Sequence, residues 1–196
     1  MTYLGLFSLQ HRGQESAGIV ASDGRHINKH VGQGLVNDVF GDPKIFDTLP
    51  GQIAIGHNRY STTGSGGVLN AQPLVANTKF GPIGVSHNGN FTNSGTLRQM
   101  LEDEGAIFQT TTDTEVLVHL MARSKAETMH ERVIEAIRQI RGAYSLTLMT
   151  RDRVFATRDP SGVRPLCIGE KEGGYYVVSE TCALDLIRAD YIRDIN

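Results

Sequence analysis

The sequence predicts an α+β domain in which antiparallel sheets carry much of the core. Strand patterns fill the first and last parts of the chain, and helical patterns fill the middle, an order typical of α+β folds. The 22 glycines cluster at turns between short apolar runs, which favours strands joined by tight hairpins. With 196 residues, 39% hydrophobic and 20% charged, the chain is expected to form one domain over residues 1–196.

The first part of the chain predicts a short helix and then three strands. Leu4, Phe7 and Leu9 lie partly on one face of a helix over Tyr3 to His11. The turn pair Asp23-Gly24 predicts a hairpin. The predicted strands are Ser16 to Ser22, Arg25 to Val31 and Gln52 to Tyr60, with short helical or irregular pieces at Leu35 to Phe40 and Lys44 to Leu49.

The middle of the chain predicts a long loop, a strand pair and three helices. The loop, Ser61 to Gln72, is rich in Ser, Thr and Gly, and a loop of this length is more often functional than filler. Thr112 and Glu115 have the spacing of a capping box at the start of the second helix. The strand pair is Pro73 to Ala76 with Pro82 to Asn88; the first helix is Ser94 to Glu104, and the third is Thr128 to Arg141, ended by Gly142.

The last part of the chain returns to strands. Arg151-Asp152 and Gly173-Gly174 are turns within two strand pairs. The predicted elements are strands at Ala143 to Met149, Arg153 to Thr157, Leu166 to Gly169 and Tyr175 to Ser179, then a short helix at Ala183 to Ala189 and an extended tail.

Composition excludes several classes of function. Nineteen basic and 21 acidic residues give a formal charge of −2, so the chain has no electrostatic footprint for nucleic acid. Two cysteines argue against a disulfide scaffold, and no apolar run is long enough to cross a membrane. The N-terminus lacks the regions of a signal peptide, so we expect a cytoplasmic protein. The seven histidines lack metal-ligand spacing; His57 and His87 fit better as strand-end residues that support a pocket.

The stretch Gly84 to Phe91 is the strongest candidate for chemistry. An apolar strand runs into a polar turn that contains Asn88 and Gly89. The Asn88 side chain carries an amide N–H, and Gly89 permits a backbone conformation that aims its own N–H outward. Two such donors would form an oxyanion hole for acyl transfer. The alternative is an ordinary hairpin turn, for which Asn-Gly is the strongest short signal.

Two charged residues complete a candidate pocket. Arg59 lies at the end of a strand, and Asp113 lies at the start of a helix, where the helix dipole favours a carboxylate. An Arg and an Asp held apart can bind the carboxylate and the amine of an α-amino acid. With the oxyanion hole between them, they predict a glutamine or asparagine amidase pocket. Taken singly, Arg59 could be a surface ion pair and Asp113 only a helix cap.

A set of motifs in order along the whole chain resembles the amidophosphoribosyltransferase (glutamine phosphoribosylpyrophosphate amidotransferase) family. The chain reads Arg-Gly-Gln-Glu-Ser where relatives such as glucosamine-6-phosphate synthase typically read Arg-Gly-Tyr-Asp-Ser, which disfavours that alternative. The motifs that carry the resemblance are Gln10 to Ile19, Gly56 to Thr62, Asn70 to Pro73, His87 to Asn90, Thr112 to Glu115, Arg141 to Ser145, Arg158 to Pro160 and Ser179 to Asp185.

The resemblance implies a fold, an activity and a role for each matching residue. The fold is the four-layer αββα sandwich of N-terminal-nucleophile hydrolases, and the domain hydrolyses glutamine to supply ammonia for phosphoribosylamine synthesis in purine biosynthesis. Arg59 binds the glutamine carboxylate with Thr62 beside it, and Asp113 binds the amine. Asn88 and the Gly89 amide form the oxyanion hole. Arg12 and Gly13 support the surroundings of the nucleophile.

The chain departs from the family at the nucleophile. The family's nucleophile is an N-terminal Cys that opens a strand, and its thiolate attacks the amide. This chain opens with Met1-Thr2 and matches the family only from the helix that follows that strand. Thr2 is an alternative nucleophile, but the resemblance places it downstream of the proper position. We therefore expect a chain truncated at its start, inactive in glutamine hydrolysis as written, and weakened in folding by the missing strand. A glutamine-binding module without a nucleophile is the alternative function.

The resemblance also implies features beyond this chain. The family's second domain transfers the phosphoribosyl group, uses Mg²⁺ and belongs to a homo-oligomer; its acidic motif does not occur before Asn196. One branch of the family holds a [4Fe–4S] cluster with a Cys ligand in a segment like Ser179 to Cys182, so Cys182 could be a ligand in the parent protein or an ordinary Cys. The other ligands come from the second domain, so this chain alone is expected to hold no cofactor. Cys167 is expected to be a buried small hydrophobe.

Overall fold

A computed structural model describes residues 1–60 and 67–195. Within them the chain forms ten strands and six α-helices, together with three short 3-10 helices. The strands are β1 Ser16–Ser22, β2 Ile27–Gln33, β3 Ile53–Arg59, β4 Leu74–Thr78, β5 Gly81–Phe91, β6 Gly142–Met149, β7 Val154–Arg158, β8 Cys167–Lys171, β9 Gly174–Val178 and β10 Asp190–Asp194. The α-helices are α1 Thr2–Ser8, α2 Val36–Val39, α3 Ser94–Asp103, α4 Thr114–Arg123, α5 Met129–Ile137 and α6 Cys182–Ile187; the 3-10 helices are Gln10–Arg12, Pro43–Thr48 and Val68–Asn70.

The strands form three antiparallel sheets. The first has the order β2-β1-β3, the second β4-β5-β6-β7 and the third β10-β8-β9. β1 is central in the first sheet, and its Ser16 pairs with Gln33 of β2 and with Arg59 of β3. The predicted extended tail is a strand, because β10 pairs with β8 and completes the third sheet.

The first two sheets pack face to face between two layers of helices. Alternate residues of β1 point to opposite faces of the sheet: Ile19 packs with residues of α1 and α2, whereas Val20 packs with Ile55 and Met149 between the sheets. Each fully buried Val or Ile of this kind contributes about 1.5–3 kcal/mol to stability. The outer face of the second sheet is covered by α3, α4 and α5, which share its main apolar cluster. The predicted four-layer αββα arrangement of antiparallel sheets is confirmed.

Two predicted helix boundaries are wrong for physical reasons. The predicted capping box at Thr112 does not form: α4 begins at Thr114, and the Glu115 carboxylate accepts hydrogen bonds from the amides of Gln109 and Thr110 instead. The third helix ends at Ile137, and Gly142 does not stop it. Gly142 instead opens β6 at a φ of +134°, where it pairs with Phe91.

Candidate active site

A cavity of about 400 Å³ lies where the ends of β3 and β5 meet the start of α4. It brings together Arg12, Arg59, Asn88, Gly89 and Asp113, five residues that the sequence had singled out. Seven further described residues complete the lining: His57, Asn58, Tyr60, Gln72, His87, Thr112 and Arg164. Thr62, the remaining predicted substrate-binding residue, lies outside the described residues.

Arg59 is delivered to the cavity by the end of β3, as predicted. Its side chain is 5% exposed, and its guanidinium lies 3.7 Å from the carboxylate of Glu15. Gly13 lies against the backbone of Arg59, where a Cβ atom would be 2.6 Å from the carbonyl carbon. Only glycine allows the two chain segments to approach so closely, which gives Gly13 its supporting position beside Arg59.

Asn88 and Gly89 do not form the predicted turn. Both lie inside β5, where Asn88 pairs with Ser145 and Gly89 with Tyr144 of β6. Gly89 has a φ of +142°, and a Cβ atom there would lie 2.1 Å from the carbonyl oxygen of Ala143. Glycine is therefore required in a distorted part of a strand, and the ladder to β6 outweighs the local turn preference of Asn-Gly.

Arg12 ties Asn88 to the third sheet. One terminal nitrogen of its guanidinium donates to Asn88 Oδ1 at 3.3 Å, and the other donates to the carboxylate of Glu180. His11 also contacts Glu180, with 2.8 Å between Nε2 and Oε2. Arg12 thus contacts the Asn88 amide directly, and its supporting role stays a prediction.

Asp113 stands at the start of α4 but does not cap it with its side chain. Its Oδ2 accepts a hydrogen bond from the amide of Phe91 at 2.9 Å, and its Oδ1 lies 3.2 Å from His87 Nδ1. The contact with a carboxylate oxygen requires a hydrogen on His87 Nδ1. Two residues near the end of β5 therefore contact the carboxylate.

The environment keeps Asp113 negatively charged. Burial by itself raises the pKa of this carboxyl, but hydrogen bonding and charge attraction from His87 and the amides of Phe91 and Thr114 lower it, and the net pKa lies below its ordinary value. At neutral pH the cavity therefore holds a fixed anion at Asp113 and a fixed cation at Arg59. Such a pair matches the two charges of an α-amino acid.

Both histidines line the cavity, but His87 lies inside β5 and not at its end as expected. His57 Nε2 donates to the carbonyl oxygen of His87 at 2.9 Å, which leaves Nδ1 buried without a partner among the described residues. Burial and electrostatic interactions with His87, Arg59 and Arg12 lower the pKa of His57 to about 4, although its hydrogen bond acts against them. The ring of His87 stacks on Phe91 with 4.1 Å between ring centroids.

Sequence reasoning missed two lining residues with clear structural support. Gln72 links β5 to α4: its Oε1 accepts from the His87 amide at 2.7 Å, and its Nε2 donates to Thr114 Oγ1 at 3.2 Å. Arg164 reaches the cavity from a loop folded around Asp159, whose carboxylate accepts from the amides of Val163 and Arg164. The available signal was the turn pattern Asp159-Pro160-Ser161-Gly162, which predicts a tight loop without revealing where it packs.

The described part of the cavity is lined by neither of the two cysteines and not by the hydroxyl of Thr2. Thr2 packs its methyl group against Gly56, on the face of the first sheet that α1 covers, so the structure offers the Thr2 alternative no support. Cys167 is buried in the third sheet, as predicted. Cys182 opens α6, half-buried, with its Sγ 3.9 Å from Glu180 Oε2.

A metal or cluster site is not assembled within the part of the chain that the structure describes. No group of three His, Cys, Asp or Glu side chains stands together there. A cluster at Cys182 would take its other ligands from elsewhere. Among the same residues, no helix is long and apolar enough to cross a membrane.

Comparison with known families agrees with this fold and this pocket. Residues 57–186 match a family model described as a glutamine amidotransferase domain. The match spans more than half of the chain and contains Arg59, Asn88, Gly89 and Asp113. The chain therefore belongs to the glutamine amidotransferase domain family.

Within this family the whole chain is similar to amidophosphoribosyltransferases, which confirms the resemblance of its motifs. It is 52% identical to the enzyme of Rhizobium etli, covering 100% of this chain and 39% of the relative. It is 46% identical to the enzyme of Bacillus subtilis, covering 100% of this chain and 41% of the relative. The solved structure of the Bacillus subtilis glutamine phosphoribosylpyrophosphate amidotransferase, in complex with ADP and GMP, superposes with a TM-score of 0.94 at 45% identity, covering 100% of this chain and 42% of the other. The chain thus spans about two fifths of the length of these relatives.

Proposed function

We propose that the cavity binds L-glutamine and presents its side-chain amide for hydrolysis. The released ammonia would serve the synthesis of phosphoribosylamine from phosphoribosylpyrophosphate in purine biosynthesis. The observation that carries this proposal is the juxtaposition of Arg59, Asp113 and the Asn88-Gly89 pair around one cavity. The similarity to amidophosphoribosyltransferases supplies the reaction in which the ammonia would be used.

Each residue takes a role from its charge and position. Arg59 binds the α-carboxylate of glutamine, with Thr62 beside it as the resemblance implies, and Asp113 binds the α-ammonium group. The side-chain carbonyl of the substrate then faces the amide of Asn88 and the N–H of Gly89. Attack on that carbonyl places negative charge on its oxygen, and each preorganised donor can contribute about 10²–10³ in kcat.

The attacking group comes from outside the described lining. The resemblance implies a cysteine at the N-terminus of the mature protein, whose thiolate forms the acyl intermediate while its α-amino group relays protons. The His57 ring is neutral near pH 7, because burial lowers its pKa to about 4. Arg12, half of whose guanidinium already contacts Asn88, helps to hold the oxyanion hole in place.

We propose further partners that the resemblance of the motifs implies. The relatives are longer than this chain, and an additional part of the protein would transfer the phosphoribosyl group with Mg²⁺ in a homo-oligomer. Cys182 would be one ligand of a [4Fe–4S] cluster in such a protein, a proposal that analysis for iron and sulfide tests directly. Two unpaired cysteines fit a reducing compartment such as the cytoplasm.

The binding part of the proposal is tested with the chain itself by titration calorimetry. We expect L-glutamine to bind and N-acetyl-glutamine, which lacks the ammonium group, to bind at least about tenfold more weakly, since a buried charged partner is worth about 1.5–3 kcal/mol. Asp113→Asn keeps the shape of the side chain, and it should lose both affinity and this discrimination. Arg25→Gln, on the exposed Asp23-Gly24 turn, is the matched control and should bind like the wild type.

The catalytic part is tested in the protein as its source cells make it. Its mature N-terminus is sequenced, and glutamate and ammonia released from glutamine are measured. A mature N-terminal cysteine and glutamine-dependent ammonia release would support the proposal. A mature chain that begins at Met1 or Thr2 and binds glutamine without hydrolysing it would instead identify a binding module.

A further inference from the structure

The Glu180 carboxylate lies outside the cavity but is connected to it by two hydrogen-bonded steps. Glu180 sits in the connection between β9 of the third sheet and α6, and it accepts a hydrogen bond from Arg12 Nη1. Arg12 Nη2 donates in turn to Asn88 Oδ1 at 3.3 Å. One guanidinium therefore bridges a carboxylate just after the third sheet and the side-chain amide of Asn88 on β5.

This bridge determines which way the Asn88 amide is turned. A guanidinium carries only donors, so the atom of Asn88 that faces it must be the oxygen. The Nδ2 group is then directed away from Arg12 and remains available to the cavity. With the amide reversed, two sets of N–H groups would face each other, and the oxyanion hole would present an oxygen to a developing negative charge.

Arg12 needs an anchor to hold this geometry. Its side chain is long, with several rotatable bonds, and a free Arg would lose much of its orientation. Glu180 supplies the anchor: its carboxylate also contacts His11 Nε2 at 2.8 Å, so two neighbouring residues of the segment before β1 are fixed by the same group.

We propose that Glu180 is a positioning residue of the oxyanion hole, acting through Arg12 on the side-chain amide of Asn88. The inference rests on the proposed glutamine hydrolysis and adds a residue to it. It extends the functional site from the two central sheets to the third sheet. It also gives the segment Ser179 to Cys182 a task in glutamine hydrolysis that is separate from any role of Cys182 as a ligand.

The test compares the variants Glu180→Gln and Glu170→Gln, each introduced into the full-length protein and matured in its source cells. Glu170 belongs to β8, in the sheet whose strand β9 precedes Glu180, and it accepts a hydrogen bond from the Gly173 amide, which a glutamine side chain can also accept. We expect Glu180→Gln to lower kcat for glutamine hydrolysis by about tenfold or more, a part of the effect of losing a whole donor. KM should stay within about twofold, because Arg59 and Asp113 bind the ground state. Glu170→Gln should leave both unchanged, and Glu180→Asp should recover part of kcat.

A double-mutant cycle separates positioning from general support of the fold. If Glu180 acts through Asn88, Glu180→Gln should have almost no further effect on kcat in an Asn88→Ala background. Additive losses in the cycle, or a loss confined to KM, would overturn the inference while glutamine hydrolysis itself stands. If the wild-type protein does not hydrolyse glutamine at all, the proposed function itself is overturned.

A second readout does not depend on turnover. The side-chain amide resonances of Asn88 in a ¹⁵N–¹H NMR spectrum report the bond from Arg12 to Oδ1. We expect Glu180→Gln to shift them and Glu170→Gln to leave them in place. Unshifted Asn88 side-chain resonances in Glu180→Gln would contradict the proposed connection whether or not the protein hydrolyses glutamine.

Discussion

His57 makes the stability of the domain depend on pH below neutrality. Its pKa falls from 6.5 to about 4 in the folded protein, mainly because the ring is buried, with electrostatic interactions from His87, Arg59 and Arg12 adding to the effect. The unfolded chain therefore binds a proton at a higher pH than the folded chain. It follows that stability is complete above about pH 6.5 and is lost as the pH falls towards 4.

The size of the effect follows from the two pKa values. A shift of about 2.5 units corresponds to roughly 3 kcal/mol over the whole window, and about 2 kcal/mol of that is lost between pH 7 and pH 5. The free energy of unfolding of the 196-residue chain is measured in urea at both pH values. In His57→Gln, whose side-chain amide can still donate to the His87 carbonyl, this part of the pH dependence should disappear.

A matched control and a direct titration make the test specific. His26→Gln alters a histidine whose side chain is 75% exposed. This variant should keep the pH dependence of unfolding free energy that the wild type shows. The ring resonances of His57, followed by NMR, should titrate near pH 4. The reasoning would be refuted if His57 titrated near pH 6.5, or if His57→Gln lost as much stability between pH 7 and pH 5 as the wild type.

Two further predictions concern the strand that carries the oxyanion hole and the thiols. Gly89→Ala should lower the free energy of unfolding by about 3 kcal/mol or more, because the methyl group would overlap a carbonyl and φ is +142°. Gly95→Ala, in α3 with open space around it, is the control and should change the free energy of unfolding in urea by less than about 1 kcal/mol. Equal effects of the two substitutions would contradict the argument. Of the two cysteines, half-buried Cys182 should react first with a thiol reagent. Burial, and next to it electrostatic interaction with Asp194 and Cys182, raises the pKa of the Cys167 thiol. Cys182→Ser should abolish the fast phase, whereas a fast phase that survives this change would assign it to Cys167.

Local patterns were sufficient to predict most elements, and chemistry together with resemblance predicted four central residues of the pocket. β1 was placed at Ser16 to Ser22, the span that the structure gives it, because an apolar run followed by Asp23-Gly24 marks both its type and its end. β3 was predicted at Gln52 to Tyr60 and spans Ile53–Arg59, so the strand delivers Arg59 at its end as expected. The grouping of Arg59, Asn88, Gly89 and Asp113 rested on complementary chemistry and on motif resemblance, and the cavity brings all four together.

The corrections arise where contacts distant in the chain outweigh local preference. Asn88-Gly89 has the sequence of a turn but lies in β5, because pairing with Ser145 and Tyr144 supplies a continuous ladder of hydrogen bonds. Asp113 stands at the start of α4 as expected, but its carboxylate also contacts Phe91 and His87 of β5, which the local pattern did not reveal.

The sequence by itself determined the fold class, the order of the elements and the charged residues available for binding an amino acid. Only the tertiary structure decided how those residues are held: the Arg12 bridge from Glu180 to Asn88, the loop that brings Arg164 to the cavity, and the burial that lowers the pKa of His57. The physical reason is separation along the chain. Glu180 and Arg12 are 168 residues apart, and Arg12 and Asn88 are 76 apart, so no local pattern records contacts that only the packing of three sheets creates.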